Sequence, residues 1–557
     1  MTMKDKIISL IPLILIILFL FIVISTFDYL MGARIRNNLI YVIPLFLGIN
    51  LFLIIFSFVF CFKDIKKLFK KIDRKTWIIL LIIFIFGLSL RTFVAPHTHN
   101  IYFDEHVYMN VGQNIANEGK GVMTLYGTPE KCFEYHYIKQ PIGYPFLLGS
   151  AFKLFGTSET NAHYTTAIIS SLAIMTVFLI SYLLFENEKI SMISTFIFTL
   201  VPISIIWAPT TSSDTAFVFF MGLTIFGFLS YFKNSKNRLL FFSFVCLAYT
   251  VQMRPEGLIL LIPVISMFFL FKKDLFVTIN KKKVILILLI FSILIIPHLL
   301  HTNSYKEHSW DNPDGVKFDI KYVGENFQDN SLFFFENTRF PVVFTAFALI
   351  GLFLGKMLKE KTFLAMWFLI FFGTYLLFYA GSFNYSIDVR YSLTMYIQLS
   401  IIGGLGAYIA ACLLKRITKE KIAFCLVVFI ITLSFIPFCD DIGLYKSEDS
   451  YSKTIRPVDD FFADQLKEIE DDSWVFTDLQ PIALINGKKA LKISYASDVE
   501  IVNKIFAETD NVYFFNPIFG DIEYTEKTYK LMSNRFNLVE CSPKNRSGVL
   551  YKIKGWK

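Results

Sequence analysis

Two adjacent carboxylates, Asp104 and Glu105, are the first residues here whose types and spacing could do chemistry. They stand in Ile101-Tyr102-Phe103-Asp104-Glu105-His106-Val107-Tyr108, ahead of a helix-like run that stops at Gly119. Such a pair can supply a general base and a cation ligand. It can equally open a helix, Asp104 as cap and Glu105 at the positive end. Downstream, Lys139 sits before Pro141 and Pro145, whose spacing keeps the chain extended or re-entrant. Lys139 suits an anion, or the headgroup zone into which long side chains snorkel. Asp214 ends Pro209-Thr210-Thr211-Ser212-Ser213-Asp214 at the head of an apolar run, which is ordinary cap chemistry unless it shares a face with Asp104. Arg390-Tyr391 opens another apolar run. A guanidinium there can fork onto phosphate oxygens, or anchor the helix at the membrane interface.

Thirteen apolar blocks must position these groups. The chain has 557 residues, 55% of them apolar, 17% aromatic and 18% charged, with 63 Phe. Globular domains carry nearer 25% charge, and a membrane-crossing helix needs roughly 20 apolar residues. The blocks read as spans at Ile7 to Phe27, Leu39 to Phe62, Trp77 to Ala95, Ala162 to Phe185, Ile190 to Ala208, Thr215 to Phe232 and Leu239 to Val251, then Leu258 to Phe271, Val284 to Leu300, Pro341 to Leu354, Phe363 to Ala380, Tyr391 to Leu414 and Ile422 to Phe438. Their loops obey the positive-inside rule. Lys63 to Lys75 carries seven Lys/Arg, Lys272 to Lys283 five and Lys415 to Lys421 four, all on one side. Arg34 and Arg36 fall on the other. Residues 239–271 are divided into two spans at Arg254-Pro255-Glu256-Gly257, because a single helix would place the later basic loops outside. Asp104, Lys139, Asp214, Arg390 and the His residues then lie on or near the non-cytoplasmic face.

The fold class expected is an all-α polytopic membrane protein over residues 1–438, with an external loop at 96–161. Residues 439–557 are expected to form an extracytoplasmic α/β domain of two or three layers. There, short β-rich runs (Trp474 to Thr477, Leu491 to Tyr495, Val512 to Phe515, Val549 to Ile553) alternate with helix-like ones (Val458 to Asp471, Ser497 to Thr509, Thr525 to Asn537). The net charge of +9 is spread over loops, which excludes a nucleic-acid module. The seven Cys form no CxxC pair, and there is no GxxxxGK[ST] phosphate loop.

Taken together, Asp104-Glu105 with Tyr108, Lys139-Gln140-Pro141 with Tyr144-Pro145, Asp214 and Arg390-Tyr391, in that order on one face, resemble the GT-C membrane glycosyltransferases. The relatives in view are dolichyl-phosphate-mannose protein mannosyltransferases and the lipid A aminoarabinose transferase. The resemblance covers roughly Trp77 to Leu414, and Gln140 stands where a second proline is common. It implies transfer of a sugar, hexosyl or pentosyl, from a polyprenyl-phosphate carrier in the bilayer to a protein, glycan or lipid acceptor at the plasma membrane's outer face. Asp104 would be the base. Glu105 and Asp214 would orient the acceptor or hold a divalent cation, with His136 the best-placed imidazole for that cation. Lys139, Arg390 and Tyr391 would bind the donor phosphate, while Tyr108 and Tyr144 would contact acceptor or loop. A membrane scaffold or sensor displaying the external domain is the alternative. A transporter is disfavoured, because acidic residues are nearly absent from the middle of the spans.

Overall fold

The computed structural model describes residues 33–271, 281–304, 316–384, 388–438, 452–518, 522–542 and 547–557. The block at Ile7 to Phe27 lies outside these. The other twelve blocks fall on helices, because a backbone in lipid must satisfy its own N–H and C=O groups. Eight helices among the described residues are long and apolar enough to cross a membrane, from Asn38–Leu68 to Glu420–Phe438, and Pro255–Phe271 and Val342–Phe353 are shorter apolar ones. Ser213–Asn234 is the most enclosed of the eight, whereas Phe52, Phe56 and Phe60 of Asn38–Leu68 face outward. Close packing relies on small residues. Val342–Phe353 lies against Tyr396–Leu414 where a methyl on Gly406 would collide with the Phe347 carbonyl.

Two proline breaks shape the bundle. The expected Ile190 to Ala208 span is interrupted, with helices at Glu188–Thr199 and Pro202–Ile206. Proline cannot donate to the preceding turn, and the buried Arg91 takes up the freed carbonyls. Its Nη1 donates to Thr199 O (3.3 Å), and its Nη2 donates to Phe198 O (3.4 Å) and Ser204 Oγ (3.0 Å). The second break falls where the charge sorting requires it: the helix Asn237–Met253 ends at an extended Arg254, and Pro255 starts a 3-10 turn leading into Leu261–Phe271.

The loop at 96–161 and the C-terminal region form one sheet. β1 (Met123–Gly127) and β2 (Cys132–His136) come from the loop, whereas β3 (Trp474–Phe476), β4 (Lys489–Leu491), β5 (Val512–Pro517), β6 (Phe536–Glu540) and β7 (Gly548–Trp556) come from the C-terminal region. Their order is β2-β1-β4-β3-β5-β7-β6. β1 pairs antiparallel with β4, Tyr126 opposite Leu491 and Gly127 opposite Ala490. β3 runs parallel to both β4 and β5. The expected Leu491 to Tyr495 strand shifts back, since Ile493–Ser497 turns as a 3-10 helix. Alternate residues face opposite ways along a strand. Trp474, Phe476, Val512 and Phe514 pack with Val502, Ile505 and Met532. Val475, Tyr513 and Phe515 pack on the other side with Val458, Phe462 and Ile482. The domain therefore has three layers. A boundary at residue 438 divides the sequence, but the loop hairpin belongs to the C-terminal sheet.

Candidate active site

The acidic pair begins α1 (Phe103–Glu118), which Gly119 ends in a left-handed conformation at φ +70°. The residue before α1 is Tyr102, at φ 53° and ψ −133°. A non-glycine residue there is sterically strained by about 1–3 kcal/mol, a feature that clusters at functional sites. The cap position is thus Tyr102, and Asp104 makes no capping hydrogen bond.

Asp104 is partly buried and has no hydrogen bond or ion pair among the described residues. Burial raises its pKa above the ordinary 3.8, and the positive charges of Arg390 and Lys139 oppose that rise. The two cationic members of the expected phosphate set therefore act on the expected base. Arg390 is itself held against its neighbour, Nη2 lying 3.3 Å from the Tyr391 hydroxyl and the guanidinium 5.1 Å from that ring's centroid. Its Nε is buried without a hydrogen-bond partner among the described residues. Tyr108, one turn after Asp104, is pushed up to about 12 by burial and by the Asp104 charge, so it stays a neutral phenol. Its ring meets Tyr144 edge to face at 5.6 Å, and the Tyr144 hydroxyl shares a 2.6 Å hydrogen bond with Thr166.

Asp214 lies in the first turn of α2 (Ser213–Asn234) in an ion pair with Arg254. Arg254 also grips Glu256, Nη2 to Oε1 at 2.6 Å, and lies 5.5 Å from the Tyr391 ring centroid. Tyr391 is thereby flanked by two guanidinium groups and stacked on Tyr375 at 4.9 Å. Arg254 is the residue the sequence reading missed, having been taken only as a helix break. The signal was available: a charged Arg-Pro-Glu interrupting an apolar run on the face that also holds Asp214.

Glu105 has a different setting. It is fully buried, and Oε1 accepts from Ile101 N–H (3.0 Å) while Oε2 accepts from Thr211 N–H (2.9 Å) and from the Thr211 hydroxyl. His99 Nδ1 lies 3.3 Å from Oε2. Burial opposes ionisation, but the charge and hydrogen bond of His99 and the Thr211 donor outweigh it and hold Glu105 at about 2. His99 is correspondingly raised to about 10, since the two carboxylates Glu105 and Glu159 override its burial.

The expected cation set of Glu105, His136 and Asp214 does not form one site. Glu105 is saturated, Asp214 is committed to Arg254, and His136 ends β2 opposite Met123 on an exposed edge. Glu134, two residues before His136, accepts from the Tyr495 hydroxyl of the C-terminal domain. These residues fail as a metal set because strand geometry carries His136 away from the helix starts. The cluster with metal-ligand spacing among the described residues is His99, His106 and Glu159.

A family model described as dolichyl-phosphate-mannose-protein mannosyltransferase matches residues 139–301, which include Lys139, Asp214 and Arg254. No curated protein sequence matches the chain. Among solved structures, ArnT from Cupriavidus metallidurans in the apo state is similar with a TM-score of 0.53 and 12% identity, over 86% of this chain and 96% of that one. ArnT bound to undecaprenyl phosphate gives 0.52 and 12%, over 86% and 97%. The oligosaccharyltransferase AglB from Archaeoglobus fulgidus gives 0.49 and 13%, over 86% and 74%. An apolar helical bundle and the likeness to the two ArnT structures lead to one statement of kind: the chain is an integral multi-pass membrane protein with the GT-C glycosyltransferase fold.

Proposed function

We propose that the protein transfers a sugar, hexosyl or pentosyl, from a polyprenyl-phosphate carrier to a protein, glycan or lipid acceptor at the non-cytoplasmic face of the plasma membrane. The observation that carries this reading is Asp104, a carboxylate without hydrogen-bond or ion-pair partners among the described residues, under the influence of the charges of Arg390 and Lys139. Burying an unpaired carboxylate is costly, so such a group persists where it has a task. The undecaprenyl phosphate bound by ArnT and the dolichyl phosphate named in the matching family model support the carrier class. The positive-inside pattern supports the orientation.

Asp104 would take the proton of the acceptor nucleophile as that nucleophile attacks the anomeric carbon. The bond from that carbon to the phosphate oxygen breaks, and polyprenyl phosphate leaves with an additional negative charge. Arg390, whose Nε has no hydrogen-bond partner among the described residues, and Lys139 would stabilise that charge. The raised pKa of Asp104 suits a base, because a less acidic carboxyl holds the abstracted proton better. Tyr391 sets the Arg390 fork, and Asp214 sets Arg254 beside the same ring. Tyr108 and Tyr144 would line the acceptor side.

Purified protein incubated with a panel of polyprenyl-phosphate sugars should release polyprenyl phosphate. Asp104→Asn should slow release by about 10²–10⁴-fold, the usual weight of a general base. Undiminished release in that variant would remove Asp104 from the role. Release from no donor in the panel would overturn the reading.

A further inference from the structure

Lys139 stands in a segment that no regular element holds. β2 ends at His136 and the next helix is Gly143–Phe155, so residues 137–142 lie in neither strand nor helix. Ile138 and Ile142 are buried, with Lys139 half-buried between them. A backbone carbonyl buried in such a segment needs a partner from elsewhere in the protein.

His301 supplies that partner. It is 2% exposed in the last turn of the helix Lys281–Ser304, and its Nε2 lies 2.9 Å from the Ile138 carbonyl oxygen. A carbonyl oxygen only accepts, so Nε2 carries the hydrogen and donates it to the residue immediately before Lys139. A second tether lies on the other side of Lys139, where the hydroxyl of the buried Tyr249 donates to the Gly143 carbonyl at 3.0 Å. Tyr249 belongs to the helix Asn237–Met253, which packs against Lys281–Ser304 and ends directly at Arg254. The backbone on both sides of Lys139 is thereby referenced to the support that carries Arg254 beside the Tyr391 ring, on which Arg390 also rests.

We infer that His301 is a positioning residue for Lys139: its imidazole N–H fixes the backbone before Lys139, as Tyr249 fixes it after, so that the ammonium meets the carrier phosphate at one place. The inference rests on the reading of Lys139 as a phosphate ligand given above. A lysine carries its charge on a flexible four-carbon stem, so that charge is placed only as well as the backbone beneath it is held. Arg390 is steadied by the aromatic ring it lies against. For Lys139, the tethers at Ile138 and Gly143 do the steadying.

The test uses the full chain in detergent and reads its affinity for undecaprenyl phosphate and for dolichyl phosphate, with no sugar donor or acceptor present. His301→Leu removes the N–H and should weaken binding of the carrier phosphate by about tenfold, the weight of one lost hydrogen bond. His301→Gln offers an amide N–H at similar reach and should stay within about threefold of the unaltered chain. In the Lys139→Ala background, where the ammonium is already gone, His301→Leu should have no further effect, whereas a histidine with only a structural role would weaken binding equally in both backgrounds. If His301→Leu is not monodisperse, Tyr249→Phe carries the same expectation in both backgrounds and decides. Equal weakening with and without Lys139 overturns the inference, as does unchanged binding in His301→Leu beside weakened binding in Lys139→Ala. Binding of neither phosphate by the unaltered chain, or unchanged binding in Lys139→Ala, overturns instead the reading on which the inference rests, and the inference falls with it.

Discussion

Asp104 and Glu105 are joined by one peptide bond, yet they belong to two regions of opposite character. Asp104 has no hydrogen-bond or ion-pair partner among the described residues, and burial raises its pKa against the charges of Arg390 and Lys139. Glu105 is enclosed by Ile101, Thr211 and His99, and is held ionised at about 2. On a helix, successive side chains point about 100° apart. One turn of α1 therefore divides the proposed base from a carboxylate bound into the fold. A carboxylate bound into the fold supports it and an unpartnered one does not, so substitution should cost stability at Glu105 and little at Asp104.

The largest expected effect breaks the comparison on its reactive side. Asp104→Asn should lower transfer by about 10²–10⁴-fold while shifting unfolding free energy by less than about 0.5 kcal/mol. Both are measurable on one preparation, by donor cleavage and by thermal unfolding in detergent. The same carboxyl gives the sign of the pH dependence. Its pKa lies above 3.8, so the rate should climb with pH as Asp104 loses its proton, with a midpoint above that of an exposed aspartate. A midpoint at or below 3.8 would contradict the environment described for it.

Arg254 tests whether Asp214 acts on substrate or only holds a guanidinium. Arg254→Gln leaves a buried carboxylate without its counter-charge and should cost about 3 kcal/mol. Adding Asp214→Asn should recover most of that stability. If transfer also recovers in the double variant, Asp214 is a positioning residue rather than a catalytic one.

On the structural side, Glu105→Gln should reduce stability by about 2 kcal/mol, since charge-assisted hydrogen bonds weaken and a buried donor loses its acceptor. An unfolding midpoint equal to that of Asp104→Asn would erase the distinction between the two carboxylates. The smallest effect expected is at the edge of the shared sheet. Tyr495→Phe removes the donor to Glu134 and should cost under about 1 kcal/mol, because that contact is exposed. Limited proteolysis of the β1–β2 hairpin would register it.

Much of the bundle was legible without the fold. The apolar blocks predicted helices because lipid leaves the backbone no other way to satisfy its polar groups. Gly119 ended α1 where it was expected to, and Arg254-Pro255 divided residues 239–271 as charge sorting required. The interruption before Pro202 was missed, because Arg91, 111 positions earlier, supplies the donors that make it tolerable. The site was legible as a set of residue types on one face, but the partners within it were not. Arg254 read as a helix break, and His136 read as a metal ligand although strand pairing carries it to an edge.

By itself, the sequence determined the solvent: long apolar runs and sorted charge place this chain in a bilayer and gather its candidate site residues toward one surface. Only the tertiary structure decided which carboxylate is acted on by the two cations, that a loop hairpin joins a sheet made more than 300 residues later, and that Arg254 pairs with Asp214. The reason is physical. Hydrophobic periodicity is local and written along the chain, whereas strand pairing, ion pairing and ligand closure depend on which distant segments pack together.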